Sequence, residues 1–463
     1  MEHERCDIAV VGGGAAGLAA AIFAAEAGRS AMPPNAGRQP RIVVLDGAAR
    51  IGAKILIAGG GRCNVTHEIV RPEDFNGARP IVRNILAAFD ADATVRWFAA
   101  MGVALKREET GKLFPTTDRA QTVLDALLKR CTALGVRVLT GHRVHDVAVA
   151  TVTDNATSAD EAVATVEGPS ASTTDETRAP RWHVHHDHDV LAANAVVLAT
   201  GGRSLPRTGS DGTGWTIAAR LGHRVTPTAP ALVPFVLGAG FHRELSGVSQ
   251  PVELQTFVDG KLADRRSGSL LWTHFGASGP VVLDASRHWT VARDAGQTAE
   301  VRCNVFPGET FEAIEARLLA ASRSRPRASV AGVLGETLPE RVAAAFTRAA
   351  GLDPTRRLAE IARAGRRTLA HRLGALVLPI ERARGWDHAE VTAGGVPLDE
   401  IDYRTMASRK QVDLYLVGEM LDCDGRIGGF NFQWAWATGF LAGRAAARAS
   451  CTLASKGKGR GSA

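Results

Sequence analysis

The hydrophobic pattern opens with an unbroken apolar run from Asp7 to Val11, then glycines, then apolar positions at helical spacing ("DIAVVGGGAAGLAAAIFAAEAG"). That order predicts a buried strand, a tight turn and a helix. After a connection rich in Pro, Gly and Asn, the run Arg41 to Asp46 ("RIVVLD") predicts a second buried strand. Near residue 150 the pattern shortens to alternating strands around a polar stretch, "TDNATSADEAVATVEGPSASTTDETRAP", whose composition predicts an elongated hairpin loop. "NAVVLATGG" is a further buried strand ending in glycine. From about 226 to 308 the chain alternates like β-structure, with a hairpin around Asp259-Gly260, and from about 309 to 374 it is helical. The last third returns to the strand–glycine–helix pattern of the first, with strand "DLYLVGE", a glycine-rich loop, then helix "WAWATGFLAGRAAARA". The expected organisation is α/β: a discontinuous first domain over 1–225 and 386–450, and two inserts. One insert is β-rich (226–308 and 375–385) and the other helical (309–374), with 451–463 a basic, disordered tail.

Composition narrows the class. The 463 residues allow two or three domains, and 45% hydrophobic with 22% charged residues describes a globular protein. The N-terminus enters a strand almost at once, with no signal-peptide pattern, and no apolar run is long enough to span a membrane. The six cysteines (Cys6, Cys63, Cys131, Cys303, Cys423, Cys451) are scattered without a C-x-x-C pair, which argues for reduced thiols and a cytoplasmic protein. A formal charge of +7 permits a polyanionic partner without demanding one.

Chemistry enters at the glycines. Gly12-Gly13-Gly14-Ala15-Ala16-Gly17 fits G-x-G-x-x-G between a strand and a helix, the context a dinucleotide pyrophosphate requires. Gly12 allows the turn, Gly14 lets phosphate approach, and Gly17 lets helix and strand pack. Asp46, ending the second strand, is placed to accept hydrogen bonds from the adenosine ribose; the Pro/Gly connection explains its longer spacing. This motif fits NAD or FAD equally. Two further strand ends separate them: Thr200-Gly201-Gly202, and Gly418-Glu419 followed by a helix whose N-terminus favours negative charge. A ligand touched at three strand ends is larger than a transient nicotinamide cofactor needs, which favours FAD.

Gly52-x-Lys54 with "AGGGRCNVTH", then "ATGGRSLPRTGSDGTGW", "LLWTHFGASGPVVLDAS", "VTAGGVPLDEI" and "LVGEMLDCDGRIGGFNFQWAWATG" closely resemble the BaiN/RdsA-like NAD(P)/FAD-dependent oxidoreductases. The resemblance runs in order over nearly the whole chain. It implies a Rossmann-like FAD domain of the glutathione-reductase type, interrupted by a β-barrel and a small helical subdomain. It also implies flavin-nucleotide contacts from Ala16, Lys54, Gly59, Gly60, Gly61, Asn64, Val144, Ile427, Gly428 and Gly429. Members act on uridine in ribosomal RNA or on an unsaturated oxo-steroid. In both, hydride adds to the far end of a C=C bond conjugated to a carbonyl, and a proton follows. No second strand–GxGxxG–helix unit appears, so NAD(P)H is expected to visit the flavin transiently.

Several features have two readings. Cys63 is either the proton donor or a small buried residue in a tight loop. "HVHHDHDV" (His183 to Val190) looks like a metal tract, but alternation along an edge strand accounts for it, and no metal is expected. Phe430, Phe432, Trp434 and Trp436 stack on a ligand or, for the most part, fill the core. Between Arg317 and Arg384 lie fourteen arginines against five acids, a local +9. Read as one helix, "TRRLAEIARAGRRTLAHRLG" puts Leu358, Ile361, Gly365 and Leu369 on one face and Arg356, Arg363 and Arg367 on the other. Those three arginines are the candidate contacts to ribosomal RNA. A small-enone reductase and a non-catalytic, RNA-associated flavoprotein are the alternative functions.

Overall fold

A computed structural model describes residues 3–31, 39–150, 180–238 and 240–457, with side chains to 450. All but the last residue of the expected hairpin loop, and the end of the tail, lie outside these residues. The chain divides into two compact units.

The first unit comprises Met1–Gly202, Thr208–Thr226 and Gly395–Ala463. Its centre is a parallel array in the order Arg137–Thr140, Ile42–Asp46, Glu4–Val11, Val190–Leu198, Leu414–Leu416. Ile42–Asp46, Val190–Leu198, Leu414–Leu416 and the second half of Glu4–Val11 are nearly unbroken apolar runs, as strands buried on both faces require, while Arg137–Thr140 is partly exposed. The register sets Leu45, Val11, Leu198 and Leu416 in one row, so these four strands end within one residue of each other. The residues that follow therefore share one edge of the sheet. The sheet is extended by antiparallel strands, among them Val144–Val149 and Trp182–His186. Trp182–His186 pairs on both sides, with Val190–Leu198 and with Val144–Val149. The histidine tract is therefore not on an edge strand, although its alternation holds: Trp182 and Val184 are fully buried between half-exposed histidines.

Two long helices, Ala15–Ala31 and Phe430–Gly457, pack through small residues. A methyl group on Gly443 would lie 2.3 Å from the carbonyl oxygen of Ala20, and one on Gly439 2.8 Å from that of Ala16. The "GFLAGRAAARA" pattern thus brings two backbones together where larger residues would hold them apart. The second helix continues to Gly457, past the expected boundary at 450, so the tail begins as helix. Phe430, Trp434 and Trp436 are buried in this core.

The second unit comprises Arg203–Arg207 and Pro227–Gly394. Ser249–Val258 and Lys261–Thr273 form the expected hairpin, with Asp259 and Gly260 both at positive φ (48° and 75°), as a tight hairpin turn demands. They belong to a seven-stranded sheet whose two end strands, Leu376–Val377 and Ile380–Ala383, are separated by only Leu378 and Pro379. The sheet therefore curls until its ends are neighbours in the chain. The helices Phe311–Ser324, Val330–Leu334, Glu340–Ala349 and Arg363–Ala375 follow.

Two expectations change here. Sheet and helices share one core, in which Val252 and Leu254 pack in the same cluster as Ile314, Phe346 and Leu369, so the inserts form one unit. Residues 386–394 also belong to it, because Val391–Ala393 pairs with Ala229–Ala231. The second correction concerns the arginine face. "TRRLAEIARAGRRTLAHRLG" is not one helix: Leu358–Glu360 is a separate 3₁₀ turn, and the α-helix begins at Arg363. Leu358, Ile361 and Leu369 are buried as expected, but Arg356 does not share a helix with Arg363 and Arg367.

Candidate functional site

At the level sheet edge, the glycine roles separate by geometry. Gly12 has φ 105°, and a methyl group there would lie 2.4 Å from the carbonyl oxygen of Ala199. One on Gly17 would lie 1.9 Å from the carbonyl oxygen of Gly12. Both positions exclude any side chain for reasons of packing. Gly14 differs: a methyl group there would meet nothing within 4 Å. Its absence of a side chain leaves space over the N-terminus of Ala15–Ala31, where backbone N–H groups favour an anion.

Asp46 closes one side of this space. Its Oδ2 accepts from Gly13 N (2.7 Å) and its Oδ1 from Ala48 N (2.8 Å). The carboxylate is thus fixed by backbone, and each oxygen keeps acceptor capacity for a ligand hydroxyl. His142 N donates to the Asp46 carbonyl (2.9 Å), which brings the start of Val144–Val149 alongside. Gly13 is a residue that sequence reasoning passed over: a methyl group there would sit 2.1 Å from the Ile51 side chain. The run of three glycines was the signal.

The third and fourth strand ends complete the edge. Gly201 is at φ 76° against Ser210, and Thr200 sits where any side chain on Gly214 would clash with its hydroxyl (1.8 Å). Gly418, at φ 72°, lies so close to the first helix that its methyl would be 2.8 Å from the Ala16 Cβ. Gly418 N donates to Thr438 Oγ1 (3.0 Å), and Trp434 Nε1 donates to its carbonyl (3.1 Å). The first turns of the last helix are fixed to this strand end. Ahead of that helix, Ile427 is followed by Gly428 and Gly429, both at positive φ. A methyl group on Gly429 would lie 2.7 Å from Thr66 backbone and 2.8 Å from Asn64 Oδ1.

The loop after Gly52 joins the same assembly. Lys54 Nζ is 2.6 Å from Glu419 Oε2, tying residue 54 to the Gly418 strand end. Gly59, Gly60 and Gly61 are exposed and follow one another at φ 58°, 69° and 83°. Arg62 lies 4.1 Å over the Phe114 ring and pairs with Glu108, which braces the turn from behind. Cys63 is itself at φ 61°, unusual outside glycine, and is fully buried. Burial pushes its thiol up to about 12. The thiol is sealed within its loop, the surroundings expected of a small buried residue in a tight turn.

The edge suits a dinucleotide. Among the described residues, Asn64 Oδ1 and Thr200 Oγ1 are buried without a hydrogen-bond partner, beside glycines that leave backbone bare. An orphaned buried polar atom is costly unless a ligand supplies its bond. Gly12, Gly14, Ala16, Gly17, Asp46, Thr200, Gly418 and Glu419 converge on the sheet edge, with Lys54, Asn64 and Gly429 linked to it by contacts. Arg356, Arg363 and Arg367 belong to the other unit. No group of three His, Cys, Asp or Glu among the described residues could hold a metal ion. No described helix is long and apolar enough to cross a membrane, and Cys6, Cys63, Cys131 and Cys303 are free thiols.

Fold and site define the class, an FAD-dependent oxidoreductase built on a Rossmann-like domain. The family model for the HI0933-like protein Rossmann domain matches residues 6–445, and the chain belongs to this family, the one its BaiN/RdsA-like motifs resemble. The chain is similar to the 3-dehydro-bile acid delta(4,6)-reductase of Clostridium scindens, at 30% identity over 95% of this chain and 98% of that protein. It is also similar to the ribosomal RNA dihydrouridine synthase of Escherichia coli (30% identical, covering 94% of this chain and 96% of that protein). The protein of the same name from Haemophilus influenzae is 29% identical, covering 93% and 96%.

Proposed function

We propose that the protein uses FAD and NAD(P)H to reduce a C=C bond conjugated to a carbonyl, with uridine in ribosomal RNA as the substrate. The observation that carries the cofactor reading is the contrast at the glycines: Gly12 and Gly17 are closed by packing, while Gly14 is open. Bound there, the flavin supplies the hydride. The chain's own residues bind and orient. Gly14 and the helix behind it take the pyrophosphate, Asp46 the adenosine ribose, and the Val144 backbone the adenine. Lys54, Gly59 to Gly61, Asn64, Thr200 to Gly202, Glu419 and Ile427 to Gly429 enclose the remainder. Cys63 keeps the shape of its loop.

The relatives' names share one chemistry, since a bile-acid enone and the uracil ring both present a C=C bond conjugated to a carbonyl. For the RNA substrate, the support is the two dihydrouridine synthase relatives and the excess of arginine in the second unit. A second reading, reduction of a small enone, has its own support. Arg367 already pairs with Glu315 (3.0 Å) and stacks on the Phe311 ring (4.8 Å), so a glutamate offsets part of its charge. Mass mapping of uridines in ribosomal RNA from a strain lacking the gene tests the first reading. A dihydrouridine lost on deletion and restored by the gene supports it; an unchanged map moves the small enone to first place.

A further inference from the structure

In the second unit, the loop Arg203–Arg207 is stitched to the segment from Trp386 to Thr392. Arg203 N and Ser204 N both donate to Thr392 Oγ1 (2.8 and 3.1 Å). Ser204 Oγ donates to the Glu390 carbonyl (3.3 Å), and Leu205 N to that of Trp386 (3.0 Å). Ser204 and Thr392 are buried, so these bonds are shielded from water.

Cationic and aromatic side chains flank these segments. The Arg203 guanidinium lies 5.2 Å from the centre of the Trp386 ring, and that of Arg384 lies 4.4 Å from the Phe275 ring. Arg207 is exposed on the same loop. His388 reports how close these charges are: burial first, then the Arg384 and Arg207 guanidinium groups, hold its pKa below the usual histidine range, with Asp387 opposing. Other arginines of the same unit are used differently. Arg317, Arg325, Arg348 and Arg367 each pair with a glutamate. A guanidinium stacked on a ring is oriented without being neutralised, and its N–H edge stays available to fork onto phosphate oxygens. Gathered cations beside flat ring faces match a ligand with phosphate and a planar base.

We propose that Arg203, Arg207 and Arg384, with Trp386 and Phe275, form a recognition site for a phosphate-bearing nucleotide. Arg203 directly follows Gly202, the end of the predicted flavin-contacting segment Thr200–Gly202. The inference rests on the proposed function, in which both the RNA substrate and the NAD(P)H reductant are nucleotides. The two sources share this chemistry, and the test separates them.

The test compares the full-length holoprotein with a variant carrying Arg203→Gln, Arg207→Gln and Arg384→Gln, and with its all-lysine counterpart. One arm measures the NADPH and NADH concentrations that half-saturate flavin reduction. The other measures ribosomal RNA affinity across a salt series. FAD content stays at the wild-type level. In at least one arm the glutamine variant weakens binding by about tenfold or more, and in the RNA arm the salt slope falls by up to about three. The lysine variant regains the slope but only part of the affinity, because it restores charge without the fork. Loss in the RNA arm alone assigns the site to substrate, and loss in the dinucleotide arm alone to reductant. Unchanged values in both arms overturn the proposal. Wild-type protein that binds no RNA defeats the RNA reading, while the dinucleotide arm still decides the site. If the triple variant loses FAD or unfolds, Arg207→Gln alone, which disturbs no ring contact, carries the test.

Discussion

The two units treat their distinguishing residues in opposite ways. In the first, Gly12, Gly17, Gly429, Gly439 and Gly443 are held against backbone at distances that admit no substitute, while Gly14 faces open space. In the second, the distinguishing residue is arginine, and its roles are divided among glutamate pairs, aromatic stacks and solvent. The second unit holds 23 Lys and Arg against 17 Asp and Glu, so it carries most of the chain's +7. A backbone constraint leaves one solution and can be read directly, whereas a charge excess leaves several.

The largest effects expected from breaking this comparison are at the packed glycines. Gly17→Ala sets a methyl group 1.9 Å from a carbonyl oxygen, and is expected to destabilise the FAD-free protein by about 3 kcal/mol or more. Gly14→Ala meets open space, so the FAD-free protein should melt within about a degree or two of wild type. Its FAD dissociation constant should rise by about a hundredfold, since the methyl occupies the anion's approach. Calorimetry and flavin titration on both variants check the pair. Equal losses of stability would erase the distinction between packing and binding glycines. Asp46→Ala should weaken FAD by about tenfold or more and leave the bound flavin's visible spectrum in place, because it acts only at the adenosine end.

The next effect is alkaline and spans both units. Burial pushes the thiols of Cys63, Cys131 and Cys303 up to about 12, from an ordinary value of 9.0. Above pH 9 the unfolded chain releases these protons while the folded chain keeps them. Stability therefore falls as pH rises from 9 toward 12, by up to about 1.4 kcal/mol per pH unit for each thiol. Urea midpoints at about pH 8 and pH 10 measure the fall, and Cys63→Ala should lessen it. A pH profile of flavin reoxidation that moves with Cys63→Ser would restore the thiol to the chemistry.

The smallest effects separate the arginines. Arg363→Gln, on an exposed position, should change stability by no more than about 0.5 kcal/mol. Arg367→Gln loses Glu315 and the Phe311 ring together, and should cost roughly 0.5 to 1 kcal/mol. Equal values would mean that the pair and the stack contribute nothing.

What the sequence made legible follows the same division. Val11, Leu45, Leu198 and Leu416 lie in one row near the ends of their strands, and a glycine or an acid follows each within three residues, a pattern visible in one dimension. The arginine face was misread because Leu358 and Ile361 have helical spacing to Leu369, yet a 3₁₀ turn and a new helix start intervene between them. Apolar spacing constrains which residues are buried, and says little about whether one helix or two segments bury them. The link between Arg203–Arg207 and Trp386–Thr392 was hidden for another reason. It joins residues nearly two hundred positions apart through Thr392, and although each end lies in a quoted string, neither string shows which residue it meets.

The account's central claim is that a flavin held at this sheet edge reduces a carbonyl-conjugated C=C bond. It is tested most directly by mixing anaerobically reduced holoprotein with ribosomal RNA or with a small enone while following the flavin spectrum and the acceptor's mass. The account predicts that the flavin reoxidises and the acceptor gains two hydrogens in equal amount, roughly one acceptor per flavin. A flavin that stays reduced with both acceptors, and reoxidises only when dioxygen is admitted, would contradict it.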